Sequence, residues 1–108
     1  MENSKYRSLH RVLVAALAQA AVGKGSERHG NDLPFNEQPM QTISKLLDCQ
    51  EGLLFQAIKK TQESARMKPE AAVRELLGAI NYLAGAVIFI EKKHGLKTEV
   101  PDNARTTP

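Results

Sequence analysis

From Leu76 to Ile90 the chain is apolar except at Asn81, and in water such a stretch must be enclosed. Its spacing is helical: Val73, Leu76, Leu77, Ile80, Leu83, Ala84 and Val87 recur at intervals that suit one long helix. Pro69 suits a first turn, and His94-Gly95 supplies the stop. The run falls short of the ~20 residues that carry a helix across a bilayer, so a helix of a water-soluble protein is expected. Ala86 to Ile90 are apolar on every side of it. A small domain has little interior to cover such a segment, so self-association through this fourth helix is expected. Ala71, Gly78 and Gly85 lie seven apart and would let another backbone approach closely, at about 1 kcal/mol per helix glycine relative to alanine. An Ala-rich first helix is the expected neighbour there.

Three shorter helices are predicted upstream. Leu9, Val12, Leu13, Ala16, Leu17 and Ala20 mark one face of the first, between Asn3 or Ser4 as N-cap and Gly23 as stop. From Gly23 to Gln38 the periodicity vanishes while Gly, Asn, Asp and Pro accumulate, which predicts a long loop. Pro39 opens the second helix, with Met40, Ile43, Leu46 and Leu47 as apolar positions up to Asp48. Asp48 and Glu51 have the spacing of a capping box at the start of the third, which runs to about Met67 with Leu54, Ile58, Thr61 and Ala65 inward. The expected fold class is therefore all-α. One four-helix domain would cover residues 1–95, with a long loop between its first two helices and a mobile polar tail at 96–108.

With 108 residues, 42% of them hydrophobic and 25% charged, the chain has the size and composition of one globular domain. The net charge of +3 favours anionic partners. Much of the surplus lies in residues 1–30, where Lys5, Arg7, Arg11, Lys24 and Arg28 face only Glu2 and Glu27. Cys49 alone cannot form an internal disulfide, and no charged stretch with a cleavage site suggests secretion, so a reducing cytoplasm is expected. For a phage-encoded chain that would be the host cytoplasm.

The Gly23-to-Gly30 loop combines flexible backbone with Lys24, Arg28 and His29, a set suited to a phosphate. It is not a Walker loop, because Lys24 lies between adjacent glycines and no strand precedes it. The alternative is a solvated turn. Gln56, Lys59, Lys60 and Glu63 lie three or four apart on the third helix and can converge on one ligand or on water. If the first and third helices are adjacent, Lys24, Arg28, Lys59 and Lys60 would surround one phosphorylated molecule. Asn81 and Tyr82 need hydrogen-bond partners within their apolar helix, from the core or from a ligand. His10, His29 and His94 have no metal-ligand spacing with Cys49, so neither metal nor cofactor is expected. No nucleophile, base and orienting acid can be assembled, which favours a protein that is not an enzyme.

The stretch Glu75-Leu76-Leu77-Gly78-Ala79-Ile80-Asn81-Tyr82-Leu83-Ala84 resembles the Glu-Leu-Gly-Asp helix of all-α nucleoside triphosphate pyrophosphohydrolases, common among small phage and bacterial proteins. Those enzymes gather carboxylates around magnesium. Ala79 replaces the expected aspartate, so the resemblance implies nucleotide binding without hydrolysis. The segment from Ile43 to Ile58 also resembles a phage repressor-type helix-turn-helix, with Ile43, Leu47, Cys49, Leu54 and Ile58 at its core positions and Asp48 where the turn prefers glycine. That resemblance would turn Gln50, Glu51, Phe55, Gln56 and Lys59 toward DNA.

The expected function is non-catalytic binding of a small phosphorylated ligand of the nucleotide class by a helical homo-oligomer, suited in a phage to counter-defence by sequestration. DNA binding through residues 40–60 is the alternative, and inhibition of a host enzyme by protein contact the third. No membrane partner is expected.

Overall fold

The computed structural model describes residues 4–22 and 33–102, and they contain four α-helices and no strand. A 3-10 turn at Ser4–Tyr6 leads into α1, Arg7–Val22. A second, at Phe35–Glu37, leads into α2, Pro39–Leu47. Then follow α3, Glu51–Ser64, and α4, Pro69–His94. The all-α class is thus as expected, with proline at the start of α2 and α4, where a missing N–H costs nothing.

Helix α4 is the axis of the molecule, and α1, α2 and α3 all pack against it. Its small positions decide how. Gly85 admits Met40 and Gln41 of α2 and Leu53 of α3, and Gly78 admits Lys60 of α3. The stripe of small residues therefore receives α3 and α2, which corrects the expectation that α1 would lie there. Helix α1 takes a different side, where Asn81 Nδ2 donates to the Ala16 carbonyl at 2.9 Å and Gln19 Nε2 to that of Arg74 at 3.1 Å.

The core is small. Leu53, Ala86 and Phe89 form it, with Met40 and Tyr82 packed against them. Polar groups inside are matched: Gln41 Nε2 donates to the Gly85 carbonyl at 2.8 Å and Ser44 Oγ to that of Met40 at 2.7 Å. On α3 the buried residues are Leu53 and Ala57, so the expected inward face is corrected: Leu54, Ile58, Thr61 and Ala65 are exposed. Alanine suits the interface because α4 comes close there, with Gly78 against Lys60 and Gly85 against Leu53.

The corner between α2 and α3 also differs from expectation. Asp48 adopts the left-handed conformation, φ 55° and ψ 37°, and ends α2, while Gln50 precedes α3 without a side-chain cap. No capping box forms. Instead Lys93 Nζ lies 3.0 Å from the Asp48 carbonyl oxygen and 3.3 Å from Oδ1, tying this corner to the end of α4. Lys92 Nζ donates to the Asn36 carbonyl at 3.0 Å.

Helix α4 ends at Gly95, which takes the left-handed conformation with φ 65°. Of the segment expected as a tail, Leu96 donates its N–H to the Glu91 carbonyl and Thr98 its N–H to Glu91 Oε2 at 2.6 Å. Residues 103–108 lie outside the described residues. The helix is longer than its apolar run: an 18-residue window of it reaches a mean hydropathy of 1.5, enough by length and composition to cross a membrane. That corrects the argument from length, although the central helix of a bundle meets the same measure.

Candidate functional site: a cationic face beside Tyr82

Between α3 and α4 lies a polar surface built on Gly78. The aliphatic stem of Lys60 crosses α4 at this glycine. Its ammonium reaches Glu75 Oε1 at 3.4 Å and stands 5.9 Å from the centre of the Tyr82 ring, within cation–π range. Gln56 and Glu63, on the same side of α3 as Lys60, are half-buried, and Lys59 is exposed. Burial pushes the Tyr82 phenol above its ordinary pKa, and the Lys59 charge opposes this.

Lys59 and Lys60 therefore share one surface with Tyr82, and Gln56 and Glu63 lie on the same side of α3. Asn81 does not join them. Its amide is turned toward α1, and its donor is committed to the Ala16 carbonyl. Lys24, Arg28 and His29 lie outside the described residues. The assumption that joined Lys24 and Arg28 to Lys59 and Lys60 is corrected in one respect: α1 and α3 each lie against α4 and are not principal neighbours of each other.

The side of α4 that carries α1 holds an open groove of about 660 Å³, apolar over most of its lining, with Leu13, Leu17, Phe35, Ile88, Gln38 and Asn81 among its walls. Ala20, Ala21 and Leu33 also line it, so the chain that flanks the Gly-rich loop on either side meets there. This groove and the cations of α3 lie on different sides of α4.

Two residues were not read as part of the site from the sequence. Glu75 is the partner of Lys60, and Gly78 gives that lysine its path across α4. Both lie in the segment that carries the pyrophosphohydrolase resemblance, but their pairing depends on where α3 crosses α4. Among the described residues no group of three or more His, Cys, Asp or Glu side chains could hold a metal ion.

Fold and surface together define a small all-α protein in which Lys59 and Lys60 of α3 stand beside Tyr82 of the central helix, with Glu75 paired to Lys60. No family model matches the chain, and neither a curated protein nor a solved structure matches it.

Proposed function

We propose that the protein is a cytoplasmic helical homo-oligomer that holds a small phosphorylated ligand of the nucleotide class without cleaving it. The observation that carries this reading is the placement of Lys59 and Lys60 beside the half-buried ring of Tyr82, with the Gln56 amide on the same side of α3. Cations answer phosphate, an aromatic face answers a base, and an amide answers a base edge. Cleavage has less support: Glu75 is engaged with Lys60, and Ala79 stands where the resembled motif has an aspartate. The basic residues Lys24, Arg28 and His29 of the Gly-rich loop are suited to the same phosphate. In a phage such binding suits sequestration of a nucleotide signal used in host defence.

Native mass spectrometry of protein purified from cells, followed by calorimetry against mononucleotides, cyclic dinucleotides and nucleotide-ribose signals, tests the reading. A bound ligand recovered intact after denaturation is the expected result. A chain that binds none of them, or returns a cleaved product, overturns it. The left-handed Asp48 between α2 and α3 favours a second reading as a helix-turn-helix DNA binder. Against it, Ile43, Leu47 and Ile58, which that motif would bury, are exposed.

A further inference from the structure

Along α4, Val73, Leu76, Ile80, Leu83, Val87 and Ile90 alternate at spacings of three and four, the a and d positions of a heptad repeat. Four of them, Val73, Leu76, Leu83 and Val87, are between 41% and 57% exposed. The packing of α3 and α2 lies elsewhere on the helix: Gly78 and Gly85, which receive them, occupy the f position opposite this seam, and of the seam residues Ile80 lines the groove beside α1. A strict heptad is the period of a helix whose partner is another helix with the same repeat, and nothing within the described chain supplies one.

We infer that this seam is the contact with a second copy of the chain, as a parallel, two-stranded α4–α4 pair. The inference rests on the oligomeric part of the proposed function and specifies its interface. Three observations choose the occupant. The a positions are β-branched, Val73, Ile80 and Val87, and two of the three d positions are leucine, Leu76 and Leu83. That division favours two strands in parallel coiled coils. Ala84 at e is exposed, small and uncharged, and Ala72 at g is small, so an identical helix can approach closely and no charge pattern selects a different partner. An antiparallel pair centred between Ile80 and Leu83 would set Glu70 of one copy beside Glu91 of the other. A parallel pair keeps the two Glu91 on opposite sides of the seam and brings Ala72 of one copy toward Leu77 of the other, free of like charges. A lipid surface, the other occupant an apolar helix face could take, gains nothing from the strict a/d alternation.

Two single-cysteine proteins test the inference, Val73→Cys and Val87→Cys, each with Cys49→Ser. Two-fold pairing of parallel helices brings each a position next to its own copy, within disulfide range. Both proteins should therefore form covalent dimers under mild oxidation. Leu83→Glu, at an exposed position, should at least halve the mass seen by sedimentation while helical circular dichroism is kept. An oligomer in which neither cysteine cross-links places the interface elsewhere and overturns the seam, as does a monomeric parent or one that fractionates with membranes. Calorimetry on the same proteins keeps the two readings apart. Cross-linked dimers that bind no nucleotide leave the seam standing and remove the ligand, whereas a monomer that binds nucleotide does the reverse.

Discussion

The stem of Lys60 lies against Gly78 so closely that a β-carbon there would stand 3.2 Å from Lys60 Cδ and 3.5 Å from its Nζ. Helix α4 thus holds a cation in place by omitting a side chain. Alanine is better than glycine inside a helix by about 1 kcal/mol, and a lysine stem yields easily, so Gly78→Ala should leave stability unchanged or raised by up to about 1 kcal/mol. The shifted stem should at the same time loosen the contacts of its ammonium with Glu75 and Tyr82. Thermal melts and nucleotide calorimetry on one preparation check this: an unchanged or higher Tm with weaker binding is expected. If affinity is untouched, Lys60 is not part of a ligand site.

Gly85 presents a tighter case. A β-carbon there would meet Met40 Sδ at 2.7 Å and Gln41 Nε2 at 3.5 Å, and Met40 packs against the Leu53, Ala86 and Phe89 core. Overpacking of this kind costs roughly 1 to 3 kcal/mol, and helix propensity returns only about 1. Gly85→Ala should therefore destabilise by up to about 2 kcal/mol in urea titrations. Adding Met40→Ala should cost less than the sum of the two single changes, because the second makes room for the first. Strict additivity would show that the contact is not the cause.

The sequence announced the helices more readily than their faces. Pro39, Pro69 and Gly95 mark ends by local chemistry, and the observed boundaries follow them. On α3, by contrast, Leu53 with Ala57 and Leu54 with Ile58 are both helically spaced pairs, and periodicity alone cannot tell which one turns inward. The larger side chains were the wrong choice, because the close approach of α4 at Gly78 and Gly85 favours Ala57. Asp48 was misread for a related reason. Its spacing to Glu51 is that of a cap, but its carbonyl and carboxylate face Lys93, a partner distant in sequence. The α3 part of the candidate site could be read from three- and four-residue spacing, whereas Glu75 and Gly78 required the crossing of two helices. The α4 heptad was there to be read, hidden among apolar residues that surround the helix on all sides.

Glu75 competes with any anion for Lys60. Their pair is partly solvated, with side chains 25% and 21% exposed, and such pairs contribute about 0 to 1 kcal/mol. Glu75→Gln should change stability little. It should strengthen nucleotide binding severalfold, since the ammonium is then free for phosphate, and the gain should shrink as salt rises. Calorimetry at two ionic strengths provides the measurement. Weaker binding in the variant would mean that Glu75 itself contacts the ligand or orients Lys60 productively.

Asn81 separates a structural role from a ligand role. Its Nδ2 donates to the Ala16 carbonyl and is one of the polar ties holding α1 to α4. Removal of that donor should cost about 1 kcal/mol, the usual net contribution of such a bond. Asn81→Ala should therefore loosen α1, seen as faster hydrogen exchange there, with α3 unaffected and nucleotide affinity within about twofold. A tenfold loss of affinity, about 1.4 kcal/mol, with unchanged exchange in α1 would return Asn81 to the ligand site.

The segment after α4 should respond to acid. Hydrogen bonds from Thr98 hold the Glu91 carboxyl below its ordinary pKa, with a smaller contribution in the same direction from Lys97, while slight desolvation opposes them. A carboxylate depressed in the folded state contributes stability that is complete above its unfolded value and is lost as pH falls through the folded one. Acidification should therefore release Thr98 from Glu91 while α4 remains helical, since its own carbonyl still receives the Leu96 N–H. In proton NMR the Thr98 amide should lie downfield at neutral pH and move upfield with an inflection below the ordinary carboxylate value. Glu91→Gln should abolish that inflection. An inflection at the ordinary value, or none in the parent protein, would show that Thr98 does not hold the carboxylate in solution.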